Sequence, residues 1–458
     1  MREDTIAAIA TAMAPSGIGI VRISGPDAIE VADRIYRSKG GKKHLKNVES
    51  HTIHYGFIMD EEIVIDEVMV LIMRAPNTYT KEDSVEIDCH GGPQIMQKIL
   101  NIVLKNGARP AEPGEFTKRA FLNGRIDLSS AEAVIDLINS KNEFARASSL
   151  SQVQGSVEKK VSSLREIILE QTAFIEAALD DPEHYSLDDY TEKISKITDE
   201  LMAELQKLIN SAGNGSLLKE GINTVIVGKP NAGKSSLMNL LAGKEKAIVT
   251  EIAGTTRDVI EEQIRLKGLM LNITDTAGIR ESEDKIEQIG VTKAKELMDQ
   301  ADLVLYVVDS SVPLDENDEE IIVALEGKAA IVLLNKSDLS PLITEEMLRE
   351  RLSQRIIPIS AKMQTGTELL EEAVEEMFFQ GEVSFNDEIY ITNERQLLCL
   401  KNALDALKLV KEGINMQMPE DFLSIDLLNA YESLGEITGD SVGEDLINEI
   451  FSKFCMGK

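Results

Sequence analysis

The stretch Gly228-Lys-Pro-Asn-Ala-Gly-Lys-Ser235 directly follows the apolar segment Asn223–Val227. Two glycines, a lysine and a hydroxyl at this spacing form a loop whose backbone N–H groups surround phosphates. Its lysine reaches the β and γ phosphate oxygens, and its serine hydroxyl binds Mg²⁺. Such loops join a strand to a helix in a buried, mostly parallel sheet. The stretch therefore predicts a phosphate-binding loop in an α/β domain.

Three further motifs follow in the order of a guanine-nucleotide site: Asp275-Thr-Ala-Gly278, Asn335-Lys-Ser-Asp338 and Ser360-Ala-Lys362. Asp275 follows a largely apolar strand, as expected of a carboxylate near Mg²⁺, and the N–H of Gly278 can reach the γ-phosphate. Four elements in this order favour nucleotide binding over a glycine-rich turn without a ligand.

The second of these motifs also indicates which base is bound. Asp338 can accept hydrogen bonds from the ring N–H and the exocyclic amine of guanine, whereas adenine would leave the carboxylate unsatisfied. Asn335 can hold the loop and contact the base, and the Ala361 amide can reach O6. The sequence therefore predicts GTP rather than ATP. The expected GTP-binding residues are Asn231, Ala232, Gly233, Lys234, Ser235, Ser236, Thr250, Glu251, Ile252, Ala253, Gly254, Thr255, Thr256, Asp275, Thr276, Ala277, Gly278, Asn335, Lys336, Asp338, Ser360, Ala361 and Lys362.

Ile279 stands after Asp-Thr-Ala-Gly, where many GTPases carry a glutamine that orients the attacking water. An aliphatic side chain cannot polarise water, so another group must do so. The candidates that orient water or stabilise charge are Glu281, Glu283, Glu287, Arg257 and Arg280. Taken alone, each of them fits a solvated surface charge better than a catalytic role.

The segment 247–258 is expected to lie over the phosphates, and Thr256 is expected to complete the Mg²⁺ shell with Ser235. Carbonyl groups of such a loop, together with the Asn231 side-chain oxygen, form a second hypothetical site. They could hold a monovalent cation where an arginine would otherwise stabilise charge.

The composition limits the other functions of this chain of 458 residues. A length of this order predicts about three domains. A net charge of −31 repels nucleic-acid phosphates, so RNA contact must be local or supplied by a partner. Three cysteines without paired spacing indicate a reducing compartment. No apolar run reaches the length of a membrane span, and Glu3 and Asp4 argue against a signal peptide, so we expect a cytoplasmic protein.

Hydrophobic periodicity predicts a small α/β domain over residues 1–118. Its expected strands and helix are Gly17–Ser24, His51–Met59, Ile63–Met73, Ser84–Cys89 and Pro93–Lys105. Helical periodicity then predicts the first part of a helical domain over 119–218, with Ser129 or Ser130 as an N-cap. A helix from Tyr190 to Asn210 is expected to end in the linker Ser-Ala-Gly-Asn-Gly.

The nucleotide domain is expected over 219–380, with further strands at Leu271–Thr274, Leu303–Val308 and Ala330–Leu334. Helical periodicity resumes over 381–458, through Asn393–Gly413 and Ile425–Leu434. Helical segments therefore precede and follow the nucleotide domain. We infer one discontinuous helical domain with the nucleotide domain inserted into it.

The chain closely resembles the MnmE (TrmE) family of tRNA modification GTPases over essentially its whole length. The residues that carry the resemblance are Gly17-Ile-Gly-Ile-Val-Arg22-Ile-Ser-Gly25, His90-Gly-Gly92, Arg109-Pro-Ala-Glu-Pro-Gly-Glu-Phe-Thr-Lys-Arg-Ala-Phe-Leu-Asn-Gly-Arg125, Ala253-Gly-Thr-Thr-Arg-Asp258 and Cys455-Met-Gly-Lys458. The resemblance implies an N-terminal α/β domain that dimerises and binds tetrahydrofolate, a helical domain split in sequence, and an inserted Ras-like, doubly wound GTPase domain.

The same resemblance implies a potassium-stimulated GTPase whose two GTPase domains meet across a homodimer. K⁺ would be held by Asn231, Thr250, Ile252 and Thr255, and Glu287 would help to position water. The residues implied to bind a 5,10-methylene- or 5-formyltetrahydrofolate are Arg22, Glu86, Arg125 and Lys458. Cys455 is implied to lie near the folate as a possible catalytic thiol, and an inert terminal thiol is the alternative.

By resemblance, the enzyme acts with the FAD- and NADH-dependent flavoprotein MnmG, in a heterotetramer or a larger complex. The pair would add an aminomethyl or carboxymethylaminomethyl group to C5 of wobble uridine 34 in certain tRNAs, with a one-carbon unit from folate. Contact with tRNA would be made mainly through the complex. GTP hydrolysis would drive dimerisation of the GTPase domains and a conformational change.

Strand alternation gives separate support for Arg22, because it places this charge on one face with Ile18 and Ile20. An internal ion pair explains the same pattern. Glu86 alternates with Val85 and Ile87, so that face of its strand can simply be exposed.

Two other classes of GTPase remain as alternatives. A ribosome-assembly GTPase that acts as an RNA-bound switch would need a basic RNA-binding appendage, and the C-terminal region is helical and acidic instead. A membrane-transport or membrane-remodelling GTPase is opposed by the lack of a membrane segment.

Overall fold

Two β-sheets organise the protein in the computed structural model, which describes residues 4–181, 183–185, 190–244, 261–266, 269–274, 296–379, 390–440 and 442–457. The chain divides into two compact units, one formed by Met1–Ile138, Leu150–Met202 and Leu398–Lys458, the other by Asn139–Ser149 and Ala203–Leu397. We call them the N-terminal unit and the nucleotide unit. The expected domain limits at 118, 218 and 380 stay predictions.

The N-terminal unit contains a seven-stranded sheet in the order β3-β4-β5-β6-β2-β1-β7. Its strands are β1 (Ile6–Ile9), β2 (Ser16–Ser24), β3 (Tyr36–Ser38), β4 (Thr52–Asp60), β5 (Ile63–Met73), β6 (Ser84–Gly91) and β7 (Arg109–Pro110). All neighbours pair antiparallel except β1 and β7. The strands and the helix expected from the sequence in this region are confirmed.

One face of this sheet carries the core of the N-terminal unit. Val21, Val70 and Ile87 lie there against the helices Ala28–Ile35 and Pro93–Lys105. The opposite face carries the alternate residues of the central strands, and we call it the open face. Arg22 and Glu86 lie on it in direct register.

Helices form the remainder of the N-terminal unit, including its C-terminal end. Their bounds are Glu115–Leu122, Leu128–Ile138, Ser156–Asp180, Glu420–Thr438 and Glu444–Ser452. Three further helices contain unit boundaries: Glu143–Val153, Tyr190–Glu220 and Glu394–Asn415. Across the described ranges, no helix combines the length and apolar character needed to cross a membrane.

The nucleotide unit is built on a six-stranded sheet in the order β13-β12-β11-β8-β10-β9. The strands are β8 (Ile222–Val227), β9 (Glu261–Leu266), β10 (Leu269–Thr274), β11 (Leu303–Asp309), β12 (Ala330–Asn335) and β13 (Arg355–Pro358). Only β9 pairs antiparallel, and apolar clusters cover both faces. The expected buried, mostly parallel sheet is confirmed, as its near-continuous apolar strands require.

Four helices lie wholly within the described part of the nucleotide unit: Lys234–Lys244, Glu316–Ala324, Glu345–Arg349 and Thr367–Phe379. The edge strand β9 was not expected from the sequence. Its residues Glu-Glu-Gln-Ile-Arg-Leu are mostly polar, and polar residues are common on an edge strand that meets solvent.

Two local predictions in the helical regions are wrong. The helix Tyr190–Glu220 continues through the expected linker at 211–215. Gly215 lies inside this helix. A Cβ there would lie 2.3 Å from the Ile391 carbonyl oxygen, so glycine is needed for close packing and does not end the helix. The expected N-cap at Ser129 or Ser130 is also wrong, because the Asp127 carboxylate accepts from both of their backbone N–H groups.

Candidate functional site

The phosphate loop joins β8 to the helix Lys234–Lys244 in the conformation that its glycines allow. Gly233 has a φ of 104°, and a Cβ there would lie 2.1 Å from Asn335 Nδ2. A larger residue would therefore meet both backbone strain and a steric clash. The sequence requires glycine here because the loop must pass directly over the end of β12.

Lys234 folds back over the loop from the first turn of its helix. Its ammonium donates to the carbonyl oxygens of Gly228, at 2.6 Å, and Lys229, at 2.8 Å. Ser235 and Ser236 follow with exposed side chains at the helix N-terminus. Backbone N–H groups at a helix N-terminus, together with a lysine ammonium, are suited to bind an anion.

Asn335 connects this loop to the Ser360-Ala-Lys362 segment. The side chain is 3% exposed; its Nδ2 donates to the Ala232 carbonyl at 2.8 Å, and its Oδ1 accepts from the Ala361 N–H at 3.1 Å. The amide group therefore holds two loops together. The Ala361 N–H, which we expected to face guanine O6, donates to Asn335 in this arrangement, and contact of either residue with a base stays a prediction.

Asp338 presents an exposed carboxylate beside these loops. The hydroxyl of the buried Ser360 donates to it at 2.6 Å, and this hydrogen bond holds the pKa of Asp338 below its ordinary value. An ionised carboxylate is the acceptor that the two N–H donors of guanine need. Lys362 is exposed nearby and contributes more weakly to the same pKa shift.

Lys336 stabilises the loop between Asn335 and Asp338. Its backbone has a φ of 62°, and its ammonium lies 2.5 Å from the carboxylate of Asp309 at the end of β11. Burial alone would raise the pKa of Asp309, but Lys336 and the Ser311 hydroxyl and N–H hold that pKa below its ordinary value. The ion pair thus fixes the base-recognition loop against the carboxyl end of the sheet.

An open cavity of about 540 Å³ lies between these loops, within the usual size range of small-molecule sites. It is lined by Gly233, Ser236, Asn239, Leu240, Asn335, Lys336, Asp338, Leu339, Ala361, Lys362 and Gln364. The cavity therefore places the expected base-recognition residues next to the phosphate loop. It occurs at the carboxyl ends of parallel strands, where ligands of open α/β sheets bind.

Part of the expected site falls outside the described residues. This holds for Thr250, Glu251, Ile252, Ala253, Gly254, Thr255, Thr256, Asp275, Thr276, Ala277, Gly278, Glu287 and Lys458. The other water-orienting and charge-stabilising candidates, Arg257, Arg280, Glu281 and Glu283, also lie there. Their assignments stay predictions.

A second cluster lies in the N-terminal unit, on the open face of the sheet. Arg22 Nε donates to Glu86 Oε1 at 2.8 Å, so the internal ion pair that explained the sequence pattern is present. Arg22 Nη1 donates to the Gly457 carbonyl at 3.0 Å. The C-terminal segment is thereby held beside a strand from the opposite end of the chain.

Arg125 joins the same cluster through an aromatic ring. Its guanidinium carbon lies 4.6 Å from the centroid of the Tyr79 ring, and that of Arg22 lies 6.0 Å from it. Cation–π contacts of this kind can hold a guanidinium in place without neutralising it. The exposed thiol of Cys455 lies close to Gly457 in sequence, and the Cys455 carbonyl accepts from the Gly114 N–H at 3.4 Å.

Sequence reasoning missed two residues that organise these clusters. Tyr79 has no neighbouring motif that marks it as a partner of two arginines. Lys229 stands inside the phosphate-loop motif, but at a position that the motif leaves free. Its ion pair with Asp318, at 2.6 Å, could have been suspected only from the structure.

Comparisons with known proteins agree with this arrangement. Residues 5–125 match the family model of the GTP-binding protein TrmE N-terminus, and residues 128–455 match that of the MnmE helical domain. A curated protein from Lachnoclostridium phytofermentans is 57% identical over 100% of both chains. Others from Geobacillus kaustophilus and Bacillus subtilis are 48% and 47% identical, and each alignment covers at least 99% of both chains.

Each of these three relatives is named tRNA modification GTPase MnmE. Full-length identity of this size, together with a phosphate loop beside the loop 335–338, favours a GTP hydrolase that acts in tRNA modification over the ribosome-assembly and membrane alternatives. The chain belongs to the MnmE family of tRNA modification GTPases.

Proposed function

We propose that this GTPase acts with the flavoprotein MnmG to add an aminomethyl or carboxymethylaminomethyl group to C5 of wobble uridine 34 in certain tRNAs. A tetrahydrofolate derivative supplies the one-carbon unit, and an amine donor supplies the nitrogen of the added group. GTP hydrolysis drives G-domain dimerisation and conformational change. The observation that carries the proposal is the cluster of Arg22, Glu86, Tyr79 and Arg125 with the C-terminal segment.

The residues of this cluster fit a folate chemically. A folate carries glutamyl carboxylates at one end and a pterin with N–H donors at the other. The guanidiniums of Arg22 and Arg125 suit the carboxylates, since arginine donates to them in a bidentate manner. Glu86 can accept from N–H donors, and Lys458 is expected to add a further cation. The exposed Cys455 thiol is accessible to a ligand held by these groups.

K⁺ and Mg²⁺ belong to the same proposal. The exposed side chain of Ser235 is available to Mg²⁺ at the N-terminus of its helix. Asn231 is exposed at the tip of the phosphate loop, with a φ of 63°. Carbonyl and amide oxygens are suitable ligands for a hard cation such as K⁺, and a cation there would offset charge that develops on the phosphates.

A homodimer is supported by the open face of the seven-stranded sheet. Ile18, Ile53, Tyr55 and Met69 lie on it, each between 43% and 62% exposed. Large apolar side chains grouped on one sheet face usually mark an interface. A second copy that covered this face would also border the Arg22–Glu86 pair, which lies on the same side of the sheet.

The charge of the chain supports a division of labour with the partner. At a net charge of −31, this protein is repelled by tRNA phosphates over most of its surface. A complex in which MnmG provides most of the tRNA contact avoids this cost. The flavin redox chemistry would then reside in MnmG.

Nucleoside analysis of tRNA tests the proposal directly. Cells that lack this gene should lose the C5-substituted wobble uridine, and the parent gene should restore it. Lys234→Ala should fail to restore it and Arg22→Gln should restore it only in part, whereas the matched surface variant Arg34→Gln should restore it fully. Full modification in the deletion strain would refute the assigned reaction.

The cation assignment has its own test. GTP turnover should be faster in K⁺ than in Na⁺ at equal ionic strength, and Asn231→Ala should abolish that difference. Equal turnover of the parent enzyme in the two salts would refute the K⁺ site without affecting the tRNA assignment.

A further inference from the structure

Lys229 is the second residue of the phosphate loop, yet its side chain points away from the loop into a polar cluster. Its ammonium lies 2.6 Å from Asp318 Oδ2 and 3.1 Å from Asp315 Oδ2, and donates to the Pro313 carbonyl at 3.1 Å. Only 12% of the side chain is exposed. A lysine with this many partners is a fixed element of the structure, in contrast to a solvated surface lysine.

Asp318, the principal partner of Lys229, is itself held rigidly. It is fully buried, and its Oδ1 accepts from the hydroxyl of Tyr306 at 2.8 Å. Tyr306 is fully buried in β11, in the apolar cluster on one face of the sheet. The second oxygen, Oδ2, accepts from the Asp315 N–H at 3.0 Å, as part of the capping box of the helix Glu316–Ala324. The anchor of Lys229 is therefore tied to the centre of the sheet.

The backbone carbonyl of Lys229 takes part in the hydrogen bonds that hold Lys234. Its carbonyl accepts from Lys234 Nζ at 2.8 Å and from the Ala232 N–H at 3.2 Å. The preceding carbonyl, that of Gly228, accepts from the same ammonium at 2.6 Å. Both carbonyls that orient the phosphate-binding ammonium thus belong to the segment that the Lys229 side chain anchors.

We propose that Lys229 is a positioning residue for Lys234. The ion pair of Lys229 with Asp318, supported by Tyr306, holds the start of the loop so that the carbonyls of Gly228 and Lys229 direct the Lys234 ammonium towards the nucleotide phosphates. This role of Lys229 depends only on the GTP binding and hydrolysis of the family, and not on folate, K⁺ or tRNA.

The ion pair between Lys229 and Asp318 persists at physiological pH. Burial alone would lower the pKa of Lys229, but the carboxylates of Asp318 and Asp315 outweigh burial and raise that pKa above its ordinary value. The lysine therefore stays charged. Its ion pair with Asp318, which we call the clamp, keeps the phosphate loop preorganised at this pH.

Loss of the clamp should weaken binding in the ground state and the transition state alike, since Lys234 contacts phosphates in both. Lys229→Met should raise the Kd for GDP and the KM for GTP about tenfold, with little change in kcat, as expected when uniform binding is lost. Lys229→Arg, which retains the charge and can still reach both carboxylates, should stay within about threefold of the parent.

The decisive variant separates positioning from stability. Lys229→Met alone leaves Asp318 buried without its cation, and the thermal midpoint should fall. The double variant Lys229→Met/Asp318→Asn removes that buried charge, so its midpoint should recover, while its KM for GTP should stay about tenfold raised. Lys328→Met is the matched control, because Lys328 forms an ion pair with Asp299 at 2.6 Å, away from the loop.

Fluorescent GDP titration, steady-state kinetics and thermal unfolding of the full chain provide the readouts. A double variant that binds GDP and turns over GTP within twofold of the parent would overturn the proposal, as would a Lys229→Arg variant as weak as Lys229→Met. If Lys229→Met does not fold, Tyr306→Phe replaces it, since that change removes only the hydroxyl that fixes Asp318. It should raise KM about threefold, and an unchanged KM would again overturn the proposal.

Discussion

The two clusters of candidate site residues in this protein are assembled in different ways. The phosphate loop and the loop 335–338 are held by backbone conformation, buried hydrogen bonds and an ion pair at the carboxyl ends of parallel strands of one sheet. The Arg22 cluster is held by the ion pair with Glu86, by cation–π contacts with Tyr79, and by a hydrogen bond from Arg22 to the Gly457 carbonyl, 435 residues away. Backbone conformation dominates at the first, although the Lys336–Asp309 and Lys229–Asp318 ion pairs also fix it, whereas charge dominates at the second. A steric change at the first should therefore have the largest effect.

Gly233→Ala should have the largest effect. The new Cβ would require a strained φ of 104° and would lie 2.1 Å from Asn335 Nδ2, which holds both loops. We expect the Kd for GTP to rise on the order of 100-fold. Titration with a fluorescent GTP analogue measures the change. Gly243→Ala is the matched control, because a Cβ at Gly243 meets no heavy atom within 4 Å. Equal affinity of the two variants would show that the loop is not sterically fixed.

Asp338→Asn should have the second largest effect and should change specificity instead of folding. Its amide would present a donor to one guanine N–H, so GTP affinity should fall roughly 30-fold, a typical loss for a charged hydrogen bond. Xanthosine triphosphate carries a carbonyl where guanine has the amine, and its affinity should rise. Competition between the two nucleotides measures both changes, and a parallel loss of both would contradict the role of Asp338 in base choice.

The nucleotide unit was largely predictable because its signals are local in sequence. Four strands, β8, β10, β12 and β13, are each followed within a few residues by a motif. The strands at 222–227, 303–309 and 330–335 begin and end within one residue of the expected segments. Parallel strands bring their carboxyl ends to one edge of the sheet, so the order of motifs was enough to predict that they converge.

The wrong linker prediction involved a contact between residues distant in sequence, whereas the wrong N-cap prediction involved Asp127, two to three residues before the serines. Ser-Ala-Gly-Asn-Gly has the composition of a linker, but it is helical, and its Gly215 packs closely against the Ile391 backbone. The sequence of residues 211–215 contains no signal that predicts this contact with Ile391. In the N-terminal unit, alternation placed Arg22 on one face correctly, whereas its bond to Gly457 and the proximity of Tyr79 to both arginines required the folded chain.

Arg22→Gln should have a smaller effect than the two nucleotide-site changes. It removes the charge that pairs with Glu86 and holds the Gly457 carbonyl. Binding of 5-formyltetrahydrofolate should weaken about tenfold, a usual loss for one charge-assisted contact at a partly buried site. Calorimetry gives the Kd. Arg34→Gln, which breaks an exposed ion pair with Glu30, should bind as the parent does. An unchanged Kd for Arg22→Gln would separate this cluster from the folate.

The smallest expected effect concerns His90, in the His-Gly-Gly segment at the end of β6. Its Nδ1 lies 2.6 Å from Asp66 Oδ1, and this hydrogen bond raises the pKa of His90 above its ordinary value. Since the folded pKa exceeds the unfolded one, the pair stabilises the protein fully below the unfolded pKa, and this stabilisation is lost as pH rises through the folded pKa.

Two measurements check this pH dependence. NMR titration should give a His90 pKa above that of an unstructured histidine, and Asp66→Asn should return it towards that value. Urea unfolding should show a small loss of stability between mildly acidic and alkaline pH in the parent, reduced in Asp66→Asn. His90 is exposed and makes a weak, screened contact, so the change should be far smaller than that caused by Gly233→Ala. If the pKa of His90 did not respond to Asp66→Asn, the contact with Asp66 would not be the cause of the raised pKa. Charge would then not organise this face of the N-terminal sheet as it does at the Arg22 cluster.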